Sequence, residues 1–126
     1  MHRLPAVLSS TTRDLGLAGE TAALRYLRRR GFVIVGTRVR LLRGEVDIIA
    51  RDGETLVFVE VKARKGEGFG RPEESVTPAK QRQIRKVAEC YLAKKKLRDV
   101  PCRFDVVAVR CDGSCGEVIE HIEDAF

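Results

Sequence analysis

The sequence predicts a single α/β domain, a mixed β-sheet flanked by helices, and three observations lead there. A helical apolar pattern over residues 14–30 precedes two strands rich in Val, Ile and Phe, at about 44–51 and 55–63, joined at Asp52-Gly53 as in an antiparallel hairpin. A second helix, opened by Thr77-Pro78, leads into the apolar run Arg103-Phe104-Asp105-Val106-Val107-Ala108-Val109. That strand is reached by a helical crossover and is expected to lie parallel to its sheet neighbour. A chain of 126 residues is long enough for one sizeable core and too short for two.

Taken in order, residues 1–12 read as a flexible tail ending in the polar run Ser9-Ser10-Thr11-Thr12, and residues 13–126 as the domain. The first helix, Asp14 to Arg30, carries Leu17, Ala23, Leu24 and Leu27 on one face and Thr21, Arg25, Arg28 and Arg29 on another, and Gly31 stops it. Glu20 breaks this segregation. Its neighbours at helical spacing are Ala23, Leu24 and Leu27, so its carboxylate points to the core-facing side, past the first turn where the helix dipole would favour an acid. Phe32 to Arg40 reads as a strand that joins the hairpin in a three-stranded meander. Residues 64–76 hold three glycines and a proline, a loop directly after Lys62. In the second helix Ile84, Val87, Ala88 and Tyr91 form the buried stripe, and Lys80 lies on that stripe at the helix end where a cation is disfavoured, which calls for an anion beside it. Asp112-Gly113 turns the chain into a short edge strand, Glu117 to Ile122.

The chemistry concentrates in the hairpin. Side chains alternate along a strand, so Glu45 and Asp47 share a face of one strand while Phe58, Glu60 and Lys62 share a face of the next. With Arg51 paired to Glu54 across the turn, Glu45 is expected opposite Glu60, and Asp47 opposite Phe58 and diagonal to Glu60. Like charges on neighbouring strands destabilise a sheet, and a divalent cation would neutralise them. Mg²⁺ suits such a site because it takes one or two protein carboxylates and completes its shell with water and phosphate oxygens. In the following loop, Arg64, Lys65, Phe69 and Arg71 are of the types that contact phosphate and stack on bases.

Composition narrows the partners. The chain carries 24 Lys and Arg against 18 Asp and Glu, a formal charge of +6, which favours a polyanion such as nucleic acid. No long apolar run or leader-like opening is evident, so no membrane partner and a cytoplasmic setting are expected. Cys111-x-x-x-Cys115 is half of a zinc spacing without a second pair, and Cys90, Cys102, Cys111 and Cys115 read as reduced thiols.

In combination, Gly19-Glu20, Gly44-Glu45-Val46-Asp47, Phe58-Val59-Glu60-Val61-Lys62, Arg64, Phe69-Gly70, Lys80 and Arg103-Phe104-Asp105 resemble the YraN family of small bacterial proteins. That family resembles in turn the PD-(D/E)xK nucleases, with a restriction-endonuclease-like αβββαβ core, and the archaeal Holliday junction resolvases. The resemblance spans roughly residues 16–110; Thr37 departs from it, standing where the family usually has Asn. It implies that Asp47 and Glu60, with the Val61 carbonyl, hold Mg²⁺ or Mn²⁺, that Glu20 is a further acid near the metal, and that Lys62 is the catalytic lysine of Glu60-Val61-Lys62. The implied activity is metal-dependent endonucleolytic hydrolysis of DNA, with branched DNA and RNA as open alternatives. Lys80 would contact phosphate, and Glu45 stands open between support of the metal and a strand-end ion pair. A homodimer would accompany a junction resolvase. The competing reading is a nucleic-acid-binding module that keeps the fold without turnover, and a third is an adaptor whose acids merely pair with Arg.

Overall fold

The computed structural model describes residues 12–65, 71–111 and 117–126. Helix α1 (Thr12–Arg29) is followed by β1 (Val33–Leu41), β2 (Gly44–Asp52) and β3 (Thr55–Lys65). A 3₁₀ turn (Pro72–Ser75) leads into α2 (Pro78–Lys94), then β4 (Cys102–Cys111) and β5 (Glu117–Ile122). The five strands form one mixed sheet in chain order. β1, β2 and β3 are an antiparallel meander, β3 and β4 run parallel across the α2 crossover, and β5 closes the far edge antiparallel to β4. No helix among the described residues is long and apolar enough to cross a membrane.

Each helix covers one face of the sheet. Ala22, Ala23 and Leu27 of α1 pack on Ile48, Ala50, Val57, Val59, Val107 and Val109. On the other face the predicted stripe Ile84, Val87, Ala88 and Tyr91 packs on Leu56, Phe58 and Val106. Thr77 caps α2, its hydroxyl accepting from the Lys80 N–H at 3.1 Å. Leu17, expected in the α1 stripe, is instead exposed, because the first turns of α1 run beyond the sheet and border a cleft.

The hairpin register differs from the expected one by two residues. Asp52 pairs with Thr55 and Arg51 with Leu56, so the loop is Gly53-Glu54, with Gly53 at a φ of +64° that glycine adopts without strain. A slip of two preserves every side chain's face, and it moves Asp47 directly towards Glu60 and takes Glu45 away from it.

The meander also contains a reversal of its pleat. Val46 packs in the α2 core and Ile48 in the α1 core, although residues two apart in a regular strand share a face. Across the ladder, Thr37 pairs with Ile48 and Val39 with Val46, and Arg38, the residue between them, has a φ of +49°. Both strands turn over at the Arg38/Asp47 step. A left-handed conformation costs an arginine about 1–2 kcal/mol. It lets the outer half of the β1–β2 hairpin curl onto α2, where Gly44 sits so close to Gln83 and Val87 that a Cβ would lie 2.7 Å from each.

A buried acid fastens the C-terminal half. Asp105 is fully buried on the α1 face, and all its acceptor sites meet donors: Arg103 bidentately at 2.9 Å and 2.9 Å, His121 Nε2 at 2.8 Å and the Asp124 N–H at 3.0 Å. Burial by itself would raise its pKa, but the bonds from His121 and Arg103 outweigh it and hold the carboxyl below its ordinary range. Arg103 reaches on to Asp52 at 3.1 Å, and His121 contacts the Tyr26 hydroxyl at 3.0 Å, so β2, β4, β5 and α1 meet in one network.

Two glycines of α1 separate helix propensity from packing. A Cβ on Gly19 would lie 2.7 Å from Ala63 Cβ on β3, whereas one on Gly16 would meet nothing within 4 Å. Gly16→Ala is expected to stabilise the protein by about 0.5–1 kcal/mol, the usual gain of alanine over glycine in a helix. Gly19→Ala is expected to cost about 1–3 kcal/mol through overpacking, more than the same gain returns. Thermal unfolding of both variants checks this, and a rise in Tm for Gly19→Ala would contradict the close helix–sheet contact.

Candidate active site

The site lies where β2 and β3 part. Their ladder pairs Ile48 with Val59 and goes no further, and the next free N–H, that of Val61, donates to Asp47 Oδ2 at 2.8 Å. The Asp47 side chain thus takes over a backbone role at the pleat reversal. Beside it is Glu60, buried between β3 and α2, with its Oε2 3.6 Å from Lys62 Nζ and 3.9 Å from Lys80 Nζ. The anion that Lys80 required is therefore Glu60. Glu60 Oε1 is buried with no hydrogen-bond partner among the described residues.

A buried acid and a half-buried one beside it cannot both ionise cheaply. Burial first, then the charge of Glu60, push Asp47 up to about 7, and a proton on Asp47 is further held by a hydrogen bond to Glu60. The Val61 N–H and the charge of Lys80 oppose this only in part. The pair has two ways to be satisfied: a proton on Asp47, or a cation between the carboxylates.

Clefts open on either side of β3. One, of about 450 Å³, is lined by Asp47, Val61, Glu20, Arg38, Arg40 and Glu45 among others. The second, of about 250 Å³, is lined by Lys62, Arg64, Arg71, Ser75 and Arg110 among others. The close approach at Gly19 and Ala63 brings Glu20 onto the first cleft, where both its oxygens accept from Arg38 Nε at 3.2 Å. Glu45, expected opposite Glu60, pairs with Arg40 across the β1–β2 ladder at 2.7 Å and is a strand-end ion pair. The carboxylates therefore meet as the pair Asp47 and Glu60, and among the described residues no group of three or more His, Cys, Asp or Glu side chains forms a metal cluster.

The remaining expected residues divide. Arg64 and Arg71 line the second cleft with Lys62, while Lys65 is exposed at the end of β3 and lines neither cleft. Phe69, Cys115 and the Asp112-Gly113 turn lie outside the described residues, as does the Cys111 side chain, and Cys90 and Cys102 are free thiols. Sequence reasoning assigned nothing to Arg38, Arg40 or Arg110. The signal for the first two was present: a hairpin closing at Leu41 and Gly44 sets Arg38 across from Asp47 and Arg40 across from Glu45.

Fold and site define a small mixed α/β protein with a carboxylate pair, Glu60 buried and Asp47 half-buried, where two strands diverge, flanked by lysines and by two charged clefts. Proteins of the same kind are known from sequence. The profile of the Uncharacterised protein family UPF0102 matches residues 19–109, and the chain belongs to that family, also called YraN. A UPF0102 protein of Geotalea uraniireducens is 55% identical over 114 residues, covering 90% of each chain. One of Geobacter sulfurreducens is 50% identical over 112 residues, 89% of this chain and 88% of its own. One of Symbiobacterium thermophilum is 50% identical over 98 residues, 78% of this chain and 83% of its own. The matched span holds Glu20, Asp47, Glu60, Lys62 and Lys80.

The raised pKa of Asp47 gives stability a direction with pH. Unfolded, the group titrates near its ordinary value of 3.8, and folded near 7, so the folded state holds the extra proton between those values. The contribution favours folding below pH 4 and is lost as pH rises through 7. In EDTA, the unfolding free energy is expected to fall by about 2–3 kcal/mol from this group between pH 5 and pH 8, and Asp47→Asn to remove that fall. Urea titrations of both proteins at the two pH values measure it; parallel pH profiles would refute the raised pKa of Asp47.

Proposed function

We propose that this protein is a divalent-metal-dependent endonuclease that hydrolyses phosphodiester bonds in DNA. The observation that carries the reading is Glu60 Oε1, a buried acceptor with no partner among the described residues, next to an Asp47 whose pKa is pushed up to about 7 by burial and by the charge of Glu60. A buried polar group without a hydrogen bond costs about 1–3 kcal/mol, a cost that a bound cation would remove. The donors fit a hard cation. Asp47, Glu60 and the Val61 carbonyl supply oxygen alone, and Mg²⁺ and Mn²⁺ prefer oxygen and need only one or two carboxylates. Glu20 contributes from the cleft that Asp47 and Val61 also line. When bound, Mg²⁺ or Mn²⁺ would polarise the scissile phosphate and lower the pKa of an attacking water.

The chain's own groups do the rest. Lys62, 3.6 Å from Glu60 Oε2, orients the attacking water and donates to the phosphate oxygen on which charge develops in the transition state. Lys80 holds a second phosphate oxygen. Arg64 and Arg71 line the cleft that continues from Lys62, a path along which a polyanionic backbone meets positive charge, in keeping with the net charge of +6.

The test uses Mg²⁺ or Mn²⁺ and Lys62→Ala beside Asp47→Asn. Metal is expected to raise the Tm of wild type and of Lys62→Ala, since both keep the carboxylates, and to leave Asp47→Asn unmoved. Nicking of single-stranded, duplex, flap and four-way-junction DNA and of RNA is then compared. Lys62→Ala is expected to cut about 10²-fold to 10⁴-fold more slowly than wild type. A wild type that binds one of these nucleic acids and cuts none with either metal would replace the nuclease reading with the binding module.

A further inference from the structure

We propose that Arg38 is the resident counter-ion of Glu20, that a divalent cation bound at Asp47 and Glu60 takes its place, and that the released guanidinium then binds a substrate phosphate. The inference rests on the reading of Asp47 and Glu60 as a metal site and adds to it a cationic residue on β1.

Four observations converge. Arg38 holds a φ of +49° in the middle of a strand, a conformation a non-glycine residue keeps only when its surroundings impose it and one that clusters at functional sites. It stands across the ladder from Asp47, at the step where both strands reverse their pleat. Its Nε donates to both Glu20 oxygens at 3.2 Å, with the Glu20 side chain mostly buried and the arginine half exposed, so the pair lies at the mouth of the cleft with the arginine outermost. Arg38, Glu20, Asp47 and Val61 all line that one cleft.

Arg40 supplies the contrast. It pairs with Glu45 through an ordinary cross-strand register, its backbone is not left-handed, and its side chain is almost fully exposed. A cation that merely balanced a strand-end acid would need no more than this. A guanidinium is permanently charged and has a planar fork suited to carboxylate and to phosphate alike, so one side chain can serve Glu20 without metal and a phosphodiester with it.

Isothermal titration with Mn²⁺ reads the exchange directly. Arg38→Asn removes the charge while asparagine tolerates the left-handed backbone, and it is expected to bind Mn²⁺ about tenfold more tightly than wild type, a change of about 1.4 kcal/mol. Glu20→Gln in the same protein should cancel that gain, and Arg40→Asn should shift affinity by less than about twofold. In a Lys62→Ala background that suppresses cutting, fluorescence anisotropy on an oligonucleotide should show the salt slope falling by about 1 on Arg38→Asn with Mn²⁺ present and not in EDTA. Wild type and Arg38→Asn that bind Mn²⁺ equally would overturn the exchange and leave the metal site standing. Failure of every variant to bind Mn²⁺, with unfolding curves showing each folded, would instead overturn the metal site on which the exchange depends.

Discussion

The structure depends on one break in backbone pairing. β2 and β3 stay hydrogen-bonded up to Ile48 and Val59, and there the Asp47 carboxylate accepts the Val61 N–H that the ladder no longer engages. A buried N–H must find an acceptor, so the carboxylate is held inside the sheet by the same bond that permits the strands to separate. Everything nearby follows from this exchange of a carbonyl for an acid. The hairpin beyond it turns over and covers α2, Arg38 is forced into a left-handed conformation, and Asp47 meets Glu60 at the inner edge of a cleft, where burial makes two charges costly.

The chain buries acids in two ways, and the contrast separates architecture from chemistry. Asp105 is surrounded by Arg103, His121 and the Asp124 N–H, its charge is favoured, and its work is to tie elements together. Glu60 sits at a similar depth among lysines that come no nearer than 3.6 Å, with one oxygen unclaimed, against an acid that resists ionising. Evolution can satisfy a buried carboxylate with fixed donors when nothing else has to bind there, as Asp105 demonstrates within the same sheet.

The element order, the parallel fourth strand, the capped second helix and its stripe were legible because each rests on local chemistry: Thr77-Pro78, a 3.6-residue period, an apolar run after a crossover. The hairpin partners were legible as to face from the turn back to Ile48 and Val59, but neither the register nor the pleat reversal at Asp47 was. Asp52-Gly53 and Gly53-Glu54 are both acceptable two-residue loops, and the choice between them is made by packing across the whole sheet. Glu20 announced itself by standing on an apolar stripe; the hairpin spacing could have set Arg38 across from Asp47, but its pairing with Glu20 of the first helix could not be read from an alternating strand that looked regular. The role of Asp105 was hidden too, since only Arg103 stands near it in sequence, two residues away on the same strand face, while its other donors come from β5 and the residues after it.

The parallel pairing of β3 with β4 bears on the order in which the molecule assembles. The meander that holds Asp47 and Glu60 is built from contacts between neighbours in the chain, whereas β4 can dock only after α2 has crossed the sheet. Loop closure of that kind comes late in folding because its entropy must be spent before its contacts form. Val106 on β4 pairs with Glu60 across the parallel ladder, so docking of β4 adds to the cover that α2 places over that carboxylate. A site completed only when both α2 and β4 are in place is one whose electrostatic strain acts on the unfolding rate more than on the folding rate.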